Sequence, residues 1–211
     1  MMSIFAFPRR RGRPLKLDAG YSVTREALLR AGVVALTQKG FSATGIEEIL
    51  TSASVPKGSF YHYFGSKKAF GAELITRYAG YFASRLDYFF LNEERAPLDR
   101  IRDFTAAAEA GMRKYSFSRG CLVGNLGQEM GALPEDYRLQ LTDTFEDWQR
   151  RLATCMRAGQ ELGQIPKHLD CDQMAAFFWI GWEGAVLRSK LERSGDPLKI
   201  FAKGFFAVLC R

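Results

Sequence analysis

The chain has 211 residues, of which 47% are hydrophobic and 25% charged, the composition of an ordinary soluble globular protein. This excludes disorder over most of the length, and the longest nearly apolar stretch, the 13 residues 175–187, is too short to span a bilayer. The first arginines follow the short apolar stretch 4–7, the reverse of a secretory signal, and the four cysteines are widely spaced. We therefore expect a cytoplasmic protein with free thiols and no membrane segment.

The excess positive charge lies near the amino terminus. Residues 1–80 hold 12 basic and 5 acidic side chains and the rest hold 18 of each, so the first 80 residues carry the whole net charge of +7. Lysine and arginine side chains that displace counterions from phosphates supply most nucleic-acid affinity. The distribution indicates a polyanion-binding unit on a neutral remainder, although charge alone also fits a plain basic surface.

Three short helices are predicted after a basic arm at residues 1–21. Thr24 is a good N-cap and Gly40 a stop signal for the first helix. Thr44 and Glu47 have the spacing of a capping box, which would begin the second helix. A break at Pro56 precedes the third. The three predicted helices span residues 24–39, about 44–52, and 57–64.

Longer helices are predicted beyond Ser66, which can cap the first of them. They span residues 66 to about 91, 98–115, 122–130, 135–162, 171–192 and 197–209. No alternating β pattern has comparable strength. We expect an all-α fold with three parts: the arm (1–21), a three-helix unit that we call the head (22–70), and a helical bundle that we call the body (71–211).

The second and third helices of the head have the geometry of a helix-turn-helix, in which the latter helix enters a major groove. One set of residues adds information: Gly40-Phe41-Ser42-Ala43-Thr44, Ile49, Ala53, Val55, Lys57-Gly58-Ser59-Phe60-Tyr61, Phe64 and Ser66-Lys67. It resembles the amino-terminal domain of the TetR family of transcriptional repressors over the whole head. Two positions depart from the family pattern, because Ser54 replaces a usual turn glycine and Pro56 a usual Ser or Thr cap.

The chemistry of the third helix agrees with DNA contact. Lys57 suits a phosphate as a mobile point charge, Gly58 lets the backbone approach closely, and Ser59 is small enough to reach base edges. The alternative is a merely solvated polar face.

Four further DNA contacts are expected. The resemblance implies that Tyr61 and His62 donate to phosphate oxygens, and Thr44 and Lys67 flank the groove at helix amino termini, where free amides favour anions.

The arm carries a separate signal. Arg11-Gly12-Arg13-Pro14 resembles the core of an AT-hook, in which two arginines, here Arg11 and Arg13, enter a narrow A·T-rich minor groove. The alternative is a basic tail without base preference.

The resemblance also implies how the body works. Family members are homodimers whose last two helices pack against those of the partner and whose central helices enclose an inducer pocket. Gly181 and Gly184 have a spacing that allows close helix approach. The apolar stripe expected at the dimer interface consists of Phe201, Phe205 and Leu209.

The segment from Gly120 to Glu129 resembles the start of the sixth helix in a TetR subgroup that includes sensors of reactive aldehydes, quinones and other unsaturated electrophiles, where a cysteine occupies the place of Cys121. A thiol in the first turn of a helix lies at the positive end of the macrodipole, and Arg119 adjoins it, so both favour the reactive thiolate. The alternative is a small buried hydrophobe in a packed helix.

Other residues are expected to line the same pocket. Asn125 and Glu129 follow Cys121 by one and two helical turns, and Trp148 and Trp182 are expected opposite. Glu183 is either a pocket group or one partner of a satisfied ion pair, because burying a lone carboxylate is costly.

The sequence therefore predicts a ligand-responsive repressor without cofactor or metal. A homodimer would bind a pseudopalindromic double-stranded operator and release it on binding a small molecule, including an unsaturated or electrophilic one. The alternatives are an architectural DNA binder that takes no ligand and a helical enzyme with Cys121 as nucleophile. The usual base for such an enzyme is histidine, but His62 belongs to the head and His168 to a loop-like stretch.

Overall fold

A computed structural model describes residues 19–210, which form α-helices and no β-strand. No helix in this range is long and apolar enough to cross a membrane. The helices are α1 (Ala19–Lys39), α2 (Ile46–Ser52), α3 (Phe60–Phe64), α4 (Lys67–Phe90), α5 (Pro97–Lys114), α6 (Leu122–Gln128), α7 (Glu135–Glu161), α8 (Cys171–Glu192) and α9 (Asp196–Leu209), with a 3-10 turn at Met130–Ala132. The predicted all-α fold is confirmed.

Two boundaries in the head differ from the prediction. The first helix is already formed at Ala19, so Thr24, the predicted N-cap, lies inside the helix and not at its start. The third helix begins at Phe60 rather than at residue 57. Ser54 and Gly58 have φ angles of +56° and +91°, so the chain before α3 turns through left-handed backbone.

The expected capping box is wrong. The N-cap of α2 is Gly45, which makes no side-chain cap hydrogen bond. The Thr44 hydroxyl is buried and donates to the Gly40 carbonyl at 2.6 Å. Glu47 instead forms an ion pair with Lys57 at 2.8 Å.

Aromatic packing joins the head to α4. The rings of Phe60 and Phe64 lie 5.1 and 4.7 Å from the ring of Phe70. The start of α4 agrees with the prediction, since the Ser66 hydroxyl accepts a hydrogen bond from the amide of Ala69 at 3.0 Å.

The body is built on α4, α7 and α8, which pack side by side, with α5 and α9 against them. Trp148 of α7 is fully buried, and its ring lies 4.4 Å from that of Phe82 and 5.0 Å from that of Trp179. Phe205 and Leu209, expected at a dimer interface, are instead buried in the core of their own chain. The periodicity identified an apolar face of α9 but not its partner.

One glycine in α4 marks the junction of head and body. A Cβ at Gly71 would overlap the hydroxyl of Tyr137 and the ring of Phe41. Tyr137 cannot move freely, because its hydroxyl donates to the Lys68 carbonyl at 2.7 Å. A Cβ at Gly80, on the same helix, would meet nothing within 4 Å.

We expect Gly71→Ala to lower the free energy of unfolding by about 1–3 kcal/mol through overpacking. The matched Gly80→Ala should raise it by about 0.5–1 kcal/mol, because alanine restricts the unfolded chain and favours helix. Urea denaturation of both variants checks this. Equal effects of the two substitutions would show that the junction has room for a methyl group.

Candidate DNA-binding surface and ligand cavity

Most of the predicted DNA contacts lie at the start of α3 and in the turn before it. Lys57, Gly58, Tyr61 and His62 are exposed and Ser59 is half-buried. A Cβ at Gly58 would meet no protein atom within 4 Å, so its positive φ, rather than crowding, explains the glycine. DNA would have to draw the Lys57 ammonium away from the Glu47 carboxylate.

Two predicted contacts have other partners. Thr44 is buried and its hydroxyl is already bound to Gly40, so its side chain is not available to a phosphate. The Lys67 ammonium donates to the Phe41 carbonyl at 3.1 Å and lies 4.6 Å from the centre of that ring. Arg11 and Arg13 lie outside the described residues.

A cavity of about 730 Å³ lies between the head and the body. Its walls come from α1, α4, α5, α8 and the segment before α6. Aromatic side chains form much of the lining, namely Tyr78, Tyr81, Phe82, Tyr115 and Trp182. Arg30, Arg77, Arg85 and Arg119 also border it.

The four arginines differ in their partners. Arg77 forms an ion pair with Glu26, and Arg30 lies 3.8 Å from the same carboxylate. Arg119 donates to the Thr37 hydroxyl at 3.0 Å and lies 4.3 Å from the Tyr115 ring centre. Within residues 19–210, neither Arg119 nor Arg85 pairs with a carboxylate. The cavity therefore contains guanidinium charge that an anion could balance.

Cys121 lies in the cavity wall between two polar groups. It is the N-cap of α6, and its sulfur accepts a hydrogen bond from the amide of Gly124 at 3.4 Å. The Tyr78 hydroxyl and the Glu183 carboxyl group are close enough to this thiol to affect its pKa. Cys121, Tyr78 and Glu183 therefore form one polar cluster in the cavity wall.

Burial controls the protonation of the Cys121 thiol. It raises the pKa of the Cys121 thiol well above its usual value, and the nearby Glu183 carboxylate raises it further. The bond from the Gly124 amide lowers it by less, and Arg119 is directed at Thr37. The expected thiolate is thus wrong, and Cys121 is a protonated thiol at neutral pH.

Glu183 borders the cavity and is half-buried by the surrounding protein. Burial raises its pKa to about 7, and the hydrogen bond from Cys121 lowers it by a smaller amount. No ion pair holds it among residues 19–210. The geometry therefore supports the interpretation of Glu183 as a pocket group and not as one partner of an ion pair.

Three predicted pocket residues do not line the cavity. Trp148 is in the core of the body, whereas Trp182 does border the cavity. The Asn125 amide donates to the carbonyls of Leu36 and Thr37, and the Glu129 carboxylate accepts from backbone amides of the head. Helical spacing aligned Asn125 and Glu129 with Cys121, but both face the head.

The arginine and tyrosine lining of α4 was missed. Arg77, Tyr81 and Arg85 are four residues apart and lie on one face of the helix. Two arginines eight residues apart with a tyrosine midway between them are a pattern from which this positively charged helix face could have been predicted. Among residues 19–210, no cluster of three metal-ligating side chains occurs.

Comparison with known proteins agrees with this architecture. Residues 28–74 match the family of bacterial regulatory proteins named for TetR, and residues 97–205 match the tetracyclin repressor-like C-terminal domain. The chain belongs to the TetR family of transcriptional regulators. Its membership assigns α2 and α3 to a helix-turn-helix that binds DNA.

Similar TetR-family proteins cover nearly the whole chain. Transcriptional regulator AcuR of Cereibacter sphaeroides is 53% identical over 196 residues, which are 93% of this chain and 89% of AcuR. A crystal structure of regulatory protein TetR from Rhodobacter sphaeroides has a TM-score of 0.86 at 53% identity and covers 88% of this chain and 98% of that one. The reduced form of Escherichia coli NemR has a TM-score of 0.78 at 31% identity, with 88% and 97% covered.

We expect Lys57→Ala to weaken binding to all DNA sequences about equally, because a phosphate contact carries no base information. The slope of log affinity against log salt should fall by about one phosphate per subunit. Fluorescence anisotropy over a salt series checks this. The control is Lys167→Ala, which removes the same charge from an exposed loop of the body. An unchanged slope would move the phosphate contact away from Lys57.

Proposed function

We propose that this TetR-family regulator is a ligand-responsive repressor, whose homodimer binds a pseudopalindromic operator and releases it when a small molecule enters the cavity. The observation that carries the proposal is the position of the cavity. One wall is α1, which leads directly into α2, and the other walls belong to the body. A ligand there touches both units, so it can prefer one head orientation, and such differential affinity is what release requires.

Exposed apolar side chains on α8 and α9 support the dimer. Ile180, Leu191 and Ile200 are 74%, 71% and 72% exposed in the isolated chain. Large exposed apolar residues on neighbouring helices are typical of an interface. Two heads related by a twofold axis would then read mirrored half-sites one helical turn apart or a multiple of it.

The proposal gives each part of the chain a role. The arm, with Arg11 and Arg13, would follow the minor groove, and the head would contact DNA through Lys57, Gly58, Ser59, Tyr61 and His62. The body at residues 71–211 would bind the ligand and the second subunit. A cytoplasmic location follows from the need to reach DNA.

The lining of the cavity favours a small acid bound reversibly, and the resemblance of residues 120–129 to sensors of unsaturated electrophiles favours an unsaturated one. A carboxylate would accept charge-assisted hydrogen bonds from Arg85 and Arg119, the two cavity-lining guanidinium groups that pair with no carboxylate among residues 19–210. The carbon chain would lie against Tyr78 and Phe82. Neutral Glu183 would donate a hydrogen bond to the ligand carboxylate, whereas ionised Glu183 would repel it.

A second candidate is covalent sensing of an electrophile at Cys121, because this residue lines the cavity together with Glu183, whose carboxylate could accept the thiol proton. In that reaction the thiol proton passes to the Glu183 carboxylate, and the sulfur bonds to the β-carbon of an unsaturated carbonyl compound. The α-carbon then takes the proton back from Glu183, which leaves a thioether and regenerates the carboxylate.

We expect Arg85→Gln to raise the concentration of a small unsaturated acid needed for operator release by roughly 10- to 100-fold, the effect of losing a hydrogen bond to a charged group. The acid would be the small unsaturated acid that gives the largest thermal shift. Operator affinity without ligand should stay unchanged. The control is Arg188→Gln, an exposed arginine of α8 paired with Glu192. Unchanged release by the Arg85 variant would remove the arginine from the site.

Cys121→Ser and pH separate the two candidates in the same release assay. Because the pKa of Glu183 is about 7, acid binding should weaken as pH rises from 6 to 8, while covalent addition should accelerate. If the ligand binds reversibly, Cys121→Ser should still release the operator. If the ligand reacts covalently, Cys121→Ser should not respond, and mass spectrometry of the parent protein should detect an adduct on Cys121. Operator binding that no compound affects would favour the architectural alternative.

A further inference from the structure

We infer that Glu129 and Asn125, two residues of the body, are positioning residues for DNA binding: their side chains complete the carboxyl end of α1 and fix the turn that leads into α2. This inference does not depend on whether the cavity binds a ligand. It rests on direct hydrogen bonds between body side chains and head backbone.

The first contact is at the last turn of α1. A helix leaves its final carbonyl groups without partners, and these groups need donors from elsewhere. The Asn125 carboxamide donates to the Thr37 carbonyl at 3.0 Å and to the Leu36 carbonyl at 2.8 Å, which also accepts from the Gly40 amide. The Lys190 ammonium donates to the Gln38 carbonyl and to the Asn125 side-chain oxygen, both at 3.2 Å. The body thereby supplies most of the C-terminal cap of a head helix.

The second contact is in the turn itself. The two carboxylate oxygens of Glu129 accept from the backbone amides of Phe41 and Ser42 at 2.9 and 2.7 Å. Gly40 has a φ of +83°, and a Cβ there would overlap the carboxylate. No cation pairs with Glu129 among residues 19–210, so its charge is balanced by these two amides.

The turn is also held from other sides. Lys67 of α4 binds the Phe41 carbonyl, and the ring of Tyr137 of α7 meets the Phe41 ring edge-on at 5.5 Å. These contacts hold the carbonyl and the side chain of Phe41 in place. In the described part of the chain, hydrogen bonds to the amides of the turn at residues 41 and 42 come from Glu129.

The consequence concerns the angle of the helix-turn-helix. Only residues 40–45 separate α1 from α2, so the direction of α2 depends on the geometry of that turn. A turn that loses its carboxylate samples several directions, and specific binding must then select one of them. Binding to non-specific DNA depends mainly on charge and is indifferent to this selection. Loss of the positioning contacts is therefore expected to lower the ratio of specific to non-specific affinity.

The test is Glu129→Gln in the full-length chain. The operator is the duplex selected by the parent protein from a random-sequence library, and the non-specific probe is a scrambled duplex of equal length. We expect operator affinity to fall roughly 10- to 100-fold and scrambled-duplex affinity to change by less than about twofold. Hydrogen exchange of the segment at residues 40–44 should accelerate.

The matched control is Glu135→Gln, which removes the same charge from an exposed residue at the start of α7. It should leave operator affinity and exchange at the turn unchanged. Asn125→Ala, which keeps the charge of the chain, should reproduce the loss of specificity and serves if Glu129→Gln does not fold. Wild-type specificity in the folded variants, or an equal change in specific and non-specific affinity, would overturn the inference.

Discussion

The carboxyl end of α1 has carbonyl groups that its own helix cannot satisfy, and the donors that satisfy them come from the body. This requirement fixes the rest of the architecture. The backbone amide of Gly120 binds the Thr37 carbonyl at 2.9 Å, so the segment before α6 is bound to the head as well. The same segment forms part of the cavity wall. The head is therefore not an independent unit carried on α4, because its first helix ends on groups of the body.

The cavity adjoins this junction. Thr37 borders the cavity, and its hydroxyl accepts a hydrogen bond from Arg119. The carbonyl of Thr37 accepts from Asn125, and the next carbonyl, that of Gln38, accepts from Lys190. A ligand that attracted the Arg119 guanidinium would compete with its bond to Thr37. Ligand binding and the position of α1 would thus be coupled directly through Arg119 and Thr37, without a long series of packed residues.

The state of Cys121 shows which physical effect is larger. A helix amino terminus stabilises a charge by about 0.3–1 kcal/mol at an exposed site, which is less than one pKa unit. Burial can shift a pKa by about 3–5 units. The desolvation of Cys121 and its neighbour Glu183 therefore outweigh the macrodipole, and the sulfur keeps its proton.

Sequence reasoning predicted the fold well because long helices carry redundant signals. The bounds of α4, α7 and α8 were predicted to within a residue or two, and Ser66 caps as expected. The ends of short helices were harder to predict. The Thr44 hydroxyl, for example, binds the Gly40 carbonyl instead of capping α2. The candidate site was only half predicted: Cys121, Trp182 and Glu183 border the cavity.

The errors at the site have a common cause. Periodicity states which residues share a face of a helix but not what that face meets. Asn125 and Glu129 share a face that contacts the head, and Trp148 faces the core. The arginines on α4 belong to the cavity because α1 and α5 lie opposite, which is tertiary information.

The central claim is that ligand and operator are coupled through one protein conformation. The direct measurement is calorimetric titration of the unsaturated acid with the largest thermal shift into the free protein and into the operator complex. Coupling requires the complex to bind the acid more weakly, by the same factor by which the acid weakens operator affinity. Equal affinity of the acid for the free and the operator-bound protein would contradict the account.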